Sequence, residues 1–96
     1  MVTAIVLIKT LHGSITDVAE RLAELPQVSE VYSVGGSYDV VAILRTSDNE
    51  AIATLVTKTM AGIKGIERTE TMIAFKAYSR HDLESIFSIG MEPGQQ

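Results

Sequence analysis

The chain of 96 residues contains no cysteine and no tryptophan, and its only aromatic residues are three tyrosines and two phenylalanines. Without cysteine, a disulfide, a thiolate metal site and a cysteine nucleophile are all excluded. The sequence also has no cluster of basic residues, since its eight Lys and Arg are scattered singly. With twelve Asp and Glu, the formal net charge is −4. DNA binding needs a basic face that neutralises phosphates, so we expect no direct binding to DNA.

Long apolar runs are absent as well. No run approaches the roughly 18 residues that a membrane span requires. The first apolar run, residues 2–8, lacks the basic start and small-residue cleavage pattern of a signal peptide. We therefore expect a cytoplasmic protein with no membrane partner. A chain of this length fits one domain, and such a small domain gains stability when another subunit adds burial.

Four segments are predicted strands and two are predicted helices. Apolar residues recur at helical spacing over 15–25 and 52–63. Ser14 is the predicted N-cap of the first helix, and Pro26 ends it. The strands, rich in Val and Ile, are predicted at 2–8, 28–34, 39–45 and 66–77.

The second helix has predicted signals at both ends. Residues 47–50, Ser-Asp-Asn-Glu, form a capping box with Ser47 as the cap, and Gly62 is predicted to follow the last helical residue. On the fourth strand, Ile73 and Phe75 are the best core candidates on one face.

The order β-α-β-β-α-β predicts an α+β fold, a ferredoxin-like sandwich. Its four-stranded antiparallel sheet has strand order 4-1-3-2, with both helices on one face because crossovers are right-handed. The first and third strands are apolar on both faces, so we expect a second subunit to cover the other face as a two-fold dimer. An uncovered apolar surface is the alternative.

The ferredoxin-like domain is predicted to span residues 1–77, and residues 78–96 form a C-terminal extension. Ser79 is the predicted cap of a short helix that ends at Gly90, and the tail 91–96 is expected to be frayed. This helix carries an apolar trio that must be buried on its own sheet edge or on a neighbour: Leu83, Ile86 and Phe87.

Catalytic and metal-binding patterns are missing. His12 and His81 lie far apart in the predicted topology, and both are interpreted as solvent-facing. The acidic residues of the first helix form a solvated face. The sequence has no nucleophile elbow, phosphate-binding loop or metal-ligand spacing, so no catalytic residue, metal or cofactor is predicted.

Residues 34–39, Val-Gly-Gly-Ser-Tyr-Asp, lie between two apolar strands and are called the glycine loop. One interpretation is a tight hairpin in which Asp39 satisfies turn amides. The other is a small polar pocket made of backbone N–H groups and Asp39, with Thr69, Glu70 and Thr71 contributing from the fourth strand. Since the loop and that strand lie near opposite sheet edges, these groups need not converge within one subunit, but they can converge across a subunit interface.

Two motifs resemble those of a known family. Residues 36–41, Gly-Ser-Tyr-Asp-Val-Val, are similar to the G-x-[YF]-D motif plus apolar strand of the ligand-binding (RAM) domain of Lrp/AsnC regulators. Residues 63–73 resemble the L-P-G-V and R-T-x-T segment of the same domain, with Lys64 in place of the usual proline. The resemblance covers roughly residues 1–77.

The resemblance implies a stand-alone ligand-binding domain. Family transcription factors carry a helix-turn-helix domain before this module, whereas here Met1 is followed at once by the first strand. It also implies dimers paired through their sheets, further assembly such as octamers, and amino acids bound between dimers near the glycine loop. The ligand-binding residues implied are Gly36, Ser37, Tyr38 and Asp39, with Thr69 and Thr71 as weaker candidates.

The leading functional hypothesis is a non-enzymatic amino-acid-sensing module that modulates regulation together with full-length Lrp/AsnC proteins. A small dimeric α+β-barrel enzyme, such as a monooxygenase or isomerase, is an alternative. It is disfavoured because the chain has no tryptophan and neither histidine lies on a predicted strand. A structural assembly partner that binds no ligand is the third possibility.

Overall fold

A computed structural model describes residues 1–80 of the chain. The regular elements are the strands β1 (Val2–Thr10), β2 (Val28–Ser33), β3 (Val40–Thr46) and β4 (Ile66–Ala74), and the helices α1 (Ile15–Ala23) and α2 (Asn49–Thr54). Helix α2 continues through a π-helical segment, Leu55–Thr59, and a 3-10 turn, Met60–Gly62.

The four strands form one antiparallel sheet in the order β2-β3-β1-β4. This order and the two helices confirm the predicted ferredoxin-like α+β fold. The central strand β1 sets the register of its neighbours, with Val6 opposite Ala42 on β3 and Thr71 on β4.

The core lies on one face of the sheet, beneath both helices. Alternate residues of β1 and β3 point to this face because side chains of a strand alternate between its two sides. Helices α1 and α2 cover them, and the largest of these side chains are excluded from solvent. The buried apolar residues are Ala4, Val6, Ile8, Val18, Leu22, Val40, Ala42, Leu44, Ile52, Leu55 and Met60.

The opposite side of the sheet is apolar but uncovered within residues 1–80. We call it the open face. Tyr32 is 50% exposed and Met72 is 42% exposed, while the central residues of β1 and β3 are only partly buried. The open face is formed by Ile5, Leu7, Tyr32, Val41, Ile43 and Met72.

The helix ends differ in detail from the predictions. Ser14 occupies the N-cap position of α1, but its side chain makes no capping hydrogen bond. Asp48, and not Ser47, caps α2, because its carboxylate accepts a 2.8 Å hydrogen bond from the Ala51 amide. Gly62 is the last residue of the 3-10 turn and does not follow it as predicted. The positive φ that redirects the chain occurs three residues further on, at Gly65, with φ +100°.

The prediction that Ile73 and Phe75 are core residues was wrong. Ile73 is 40% exposed and Phe75 is 98% exposed, and β4 ends at Ala74. The reason is that α2 packs on β1 and β3, which leaves the inner face of the edge strand β4 without a helix above it. The predicted C-terminal helix lies, beyond its first residues, outside the described part of the chain, as does His81.

No helix within residues 1–80 has the length and apolar character needed to cross a bilayer.

Gly65 holds the turn into β4 against the start of α1. It is buried, and its carbonyl accepts a 2.8 Å hydrogen bond from the Leu11 amide. A Cβ at this position would lie 2.9 Å from the Ser14 Cβ and 3.0 Å from a Val18 methyl carbon. Both the backbone conformation and the space therefore require glycine.

We predict that Gly65→Ala lowers the free energy of unfolding by about 2–4 kcal/mol, since it combines a strained backbone with overpacking. Gly13→Ala isolates the backbone term, because Gly13 has φ +79° and nothing within 4 Å of an added Cβ. It should cost about 1–2 kcal/mol. Gly35→Ala has neither problem. Denaturant unfolding at one protein concentration checks this order, and equal losses at Gly65 and Gly35 would contradict it.

Candidate functional site

The glycine loop is closed at its base by backbone hydrogen bonds. The Val34 amide donates to the Asp39 carbonyl at 2.9 Å, and the Asp39 amide donates to the Ile8 carbonyl of β1, also at 2.9 Å. Between these anchors, Gly36 adopts φ +122°, a conformation that residues with a Cβ rarely take. The loop is therefore fixed to the end of the sheet at Asp39, while its tip is free of backbone pairing.

The tip presents unpaired donors. Within residues 1–80, the backbone amides of Gly35, Gly36, Ser37 and Tyr38 donate to no protein acceptor. Backbone N–H groups gathered in a turn form a concave site that favours anions. The internal hydrogen bonds of the described residues therefore leave these four amides free.

The carboxylate of Asp39 joins the loop to the end of β1. Its Oδ2 accepts hydrogen bonds from the Thr10 amide at 3.0 Å and the Thr10 hydroxyl at 3.1 Å, and the Lys9 ammonium lies 3.7 Å away. The hydrogen bond from the Thr10 amide lowers the pKa of Asp39, and the Thr10 hydroxyl and Lys9 act in the same direction against partial desolvation. Asp39 thus binds a strand amide and not the turn amides of the hairpin interpretation.

The second oxygen of this carboxylate is not used in the same way. Asp39 Oδ1 accepts no hydrogen bond from any group in the described part of the chain. The side chain is partly exposed, and Lys9 is its cationic neighbour. One carboxylate therefore anchors the loop through Oδ2 and leaves Oδ1 without a hydrogen bond.

Tyr38 extends across the sheet to β4. Its hydroxyl donates a 2.7 Å hydrogen bond to Glu70 Oε1, and the Arg68 guanidinium carbon lies 5.3 Å from the ring centroid, within cation–π range. The hydrogen bond to the Glu70 carboxylate raises the pKa of Tyr38. At this side chain, the loop and β4 therefore meet within one chain and need no subunit interface. Tyr38 is long enough to span β1, which separates them.

Thr69 and Thr71 lie on the other side of the sheet. They stand opposite Ile8 and Val6 of β1, whose side chains point toward the helices. Since side chains of a strand alternate between faces, Arg68 and Glu70 meet the loop while Thr69 and Thr71 do not. Within one chain, residues 36–39 lie together in the glycine loop. The two threonines lie on the helix side of the sheet, next to the second helical segment.

An open cleft of about 350 Å³ lies next to Asp39, at the end of β1. This is near the lower end of the volumes found for small-molecule sites. Three of the residues that line this cleft were not identified from the sequence, namely Lys9, Thr10 and Glu67. Pairing β1 with β3 in register would have placed Lys9 opposite Asp39 and so indicated the charged pair. The cleft is lined by Lys9, Thr10, Leu11, His12, Gly13, Ile15, Asp39 and Glu67.

Comparison with known proteins identifies the family. The family model described as the Lrp/AsnC ligand binding domain matches residues 3–83. This chain belongs to the Lrp/AsnC family. The regulator FL11 of Pyrococcus furiosus is 35% identical over 77 residues, which cover 80% of this chain and 50% of FL11. The predicted family membership is thereby confirmed.

Solved structures agree with this assignment. TTHA0845 of Thermus thermophilus is 49% identical, with a TM-score of 0.78 over 83% of this chain and 100% of that one. E. coli AsnC, at 20% identity, shares the fold with a TM-score of 0.76 over 81% of this chain and 53% of its own. The Lrp/AsnC domain therefore has the fold expected of its family.

The family fixes the broad class of function. The curated relatives are transcriptional regulators, so the prediction of a non-enzymatic regulatory module is confirmed over the enzyme alternative. The chain spans about half the length of the curated relatives it matches. The matched half is their ligand-binding domain, so this Lrp/AsnC chain is an effector-binding regulatory module.

Asp39 should make the stability of this Lrp/AsnC domain depend on pH. Because folding lowers the pKa of Asp39, its ionised carboxylate stabilises the fold above the ordinary aspartate pKa of about 3.9, and this contribution is lost as the pH falls through the folded-state pKa. We predict that Asp39→Asn is less stable than the native chain near pH 7 and that the difference shrinks in acid. Denaturant midpoints measured across pH check this.

The control for this experiment is Asp17→Asn, an exposed position in the first turn of α1. Near pH 7 it should lose less stability than Asp39→Asn, because Asp17 makes no contact with the loop within residues 1–80. A stability gap for Asp39→Asn that stays constant down to strongly acidic pH would show that the charge of Asp39 does not hold the loop.

Proposed function

We propose that this chain senses a small amino acid and that the glycine loop forms the rim of its binding site. Gly36, Ser37, Tyr38 and Asp39 supply one side of the site, and a neighbouring copy of the chain completes it. The bound amino acid changes the assembly of the domain and, through full-length Lrp/AsnC regulators that share the interface, transcription.

The observation that carries this proposal is the chemistry of the loop. Unpaired backbone amides at its tip lie a few residues from Asp39 Oδ1, which has no partner within residues 1–80. An amino-acid zwitterion needs donors for its α-carboxylate and an anionic acceptor for its α-ammonium, and charge-assisted hydrogen bonds of both kinds are strong. The loop carries both kinds of group within five consecutive residues, 35–39.

One solved structure with the same fold holds an amino acid. The transcriptional regulator NMB0573 of Neisseria meningitidis, solved as a complex with L-Met, has a TM-score of 0.75 over 82% of this chain and 53% of its own. At 16% identity this likeness concerns the fold alone. Methionine is therefore one of the amino acids to be tested, but this likeness does not identify methionine as the ligand of this chain.

A second copy of the chain is the proposed cover of the open face. Tyr38, Arg68 and Glu70 join on this same side of the sheet, at the end where the glycine loop projects. A copy packed on the open face therefore buries apolar side chains and also reaches the loop. We propose a two-fold dimer that can assemble further, up to octamers, in which Thr69 and Thr71 reach a ligand only from a neighbouring chain.

Binding at such a site alters assembly by linkage. A ligand that contacts two subunits stabilises the state in which its site is complete, by a free energy that grows with the logarithm of one plus its concentration divided by its dissociation constant. No conformational change within one subunit is required.

Calorimetry against a panel of amino acids tests this proposal. We predict binding of at least one amino acid at up to millimolar concentration, and a loss of at least tenfold in affinity for Asp39→Asn, which removes the charge facing the ammonium but keeps an oxygen for Thr10. Asp17→Asn is the matched control and should bind like the native chain. Absence of heat with every amino acid would contradict sensing.

The same variants separate sensing from the structural alternative. If Asp39→Asn assembles normally but no longer responds to the amino acid, the loop is a binding site. If the native chain assembles and shows no response to any amino acid, the domain acts as an assembly partner without a ligand, and the proposal fails.

A further inference from the structure

The tip of the glycine loop has little to hold it in place. Gly35 and Gly36 are consecutive, and nothing in the described part of the chain, apart from the neighbouring residues, lies within 4 Å of a Cβ built at either position. Glycine has the greatest backbone freedom of any residue. Among the hydrogen bonds, ion pairs and ring contacts of residues 1–80, the side chains of residues 35–38 take part only through Tyr38. The order of the tip therefore depends on this one side chain.

Two residues of β4 hold Tyr38 by different parts of its side chain. The Glu70 carboxylate accepts a hydrogen bond from the hydroxyl, with 2.7 Å between the oxygens, and such charge-assisted bonds are stronger than neutral ones. The Arg68 guanidinium carbon lies 5.3 Å from the ring centroid, where a cation is attracted to the ring. Arg68 and Glu70 are two residues apart on a strand, so both side chains lie on the same side of the sheet.

Tyr38 and Asp39 fix the loop to opposite sides of the sheet. Asp39 binds Thr10, whose side chain is buried on the side of the helices. Tyr38 instead reaches Glu70, which stands opposite Leu7 of β1 on the open face. Because two consecutive residues are held from opposite sides, the loop cannot tilt toward either face without breaking one of these contacts.

Glu70 contributes little to the packing of the domain. Its side chain is exposed on an edge strand, and its one side-chain hydrogen bond within residues 1–80 is the one from Tyr38. It also occupies the unspecified position of the R-T-x-T segment, residues 68–71, so the family pattern does not require a glutamate here. A change at this position therefore tests the contact with Tyr38 without disturbing the core.

We propose that Glu70 is a positioning residue for the glycine loop. By fixing the Tyr38 hydroxyl, with Arg68 on the face of the ring, it keeps the tip amides of residues 35–38 in one arrangement. That this arrangement receives the carboxylate of an amino acid rests on the function proposed above, whereas the effect of Glu70 on the loop does not. A tip that is ordered in advance loses less conformational entropy when a ligand binds, so the same contact also increases affinity.

Nitrogen-15 relaxation of the full chain tests the effect on the loop without a ligand. The order parameters of the amides of residues 35–37 should fall in Glu70→Ala to below about 0.6, the range of flexible backbone. Glu70→Gln keeps an oxygen that accepts from the Tyr38 hydroxyl, so its order parameters should stay close to the native values. The matched control is Glu20→Ala, which removes an exposed glutamate from α1 and should leave the loop unchanged. Circular dichroism verifies that each variant is folded.

A double-mutant cycle tests whether Glu70 acts through the tyrosine hydroxyl. The probe is the amino acid that binds the native chain most tightly in the calorimetric panel. Glu70→Ala should weaken its binding about two- to tenfold, while Glu70→Gln and Glu20→Ala should change it by less than about twofold. In the Tyr38→Phe background, which lacks the hydroxyl, Glu70→Ala should cause no further loss, because the effects of residues in direct contact are not additive.

The outcomes separate the positioning role from amino-acid sensing. If the native chain binds no amino acid, sensing fails, and the relaxation data alone decide the role of Glu70. If an amino acid binds equally well to the native and Glu70→Ala chains, or if the loss is as large in the Tyr38→Phe background, sensing stands and positioning by Glu70 is wrong. Unchanged order parameters in Glu70→Ala, or an equal fall in Glu70→Gln, would also overturn the positioning role.

Discussion

The constraint on which the structure depends is that both helices pack on one face of a sheet whose central strands are apolar on two faces. On the covered face, residues such as Val6 and Ala42 are completely buried. On the open face, the alternating residues Ile5 and Ile43 are only partly shielded. Burial of apolar surface contributes roughly 25 cal/mol per Å², so a small domain with one bare apolar face gains from association.

The glycine loop depends on the same sheet. Asp39 ties the loop to Thr10 at the end of β1, and Tyr38 ties it to Glu70 on β4. These contacts use one carboxylate oxygen and one hydroxyl to hold the loop, while the tip amides and the other oxygen of Asp39 remain unpaired within residues 1–80. Under the proposed function, anchoring the base of the loop lowers the cost of ordering it when a ligand binds.

The fold could be predicted from the sequence because strand alternation, helical stripes and the crossover rule all favoured one topology. The site was only partly predictable. Gly36 to Asp39 is a local motif, but the contact between Tyr38 and Glu70 depends on the register of β4 against β1, which the sequence pattern leaves open. Ile73 was misplaced for a related reason: periodicity identifies a face of a strand, and whether a helix covers that face depends on packing elsewhere.

The central claim is that a second copy covers the open face and completes the ligand site. Its most direct test is the solution mass of the native chain, measured by sedimentation at micromolar concentration with and without a mixture of amino acids. We predict a multiple of the 10.4 kDa chain mass that increases when amino acids are added, and a smaller species for Ile43→Asp, which places a charge in the centre of the open face. A 10.4 kDa monomer under both conditions would contradict the account.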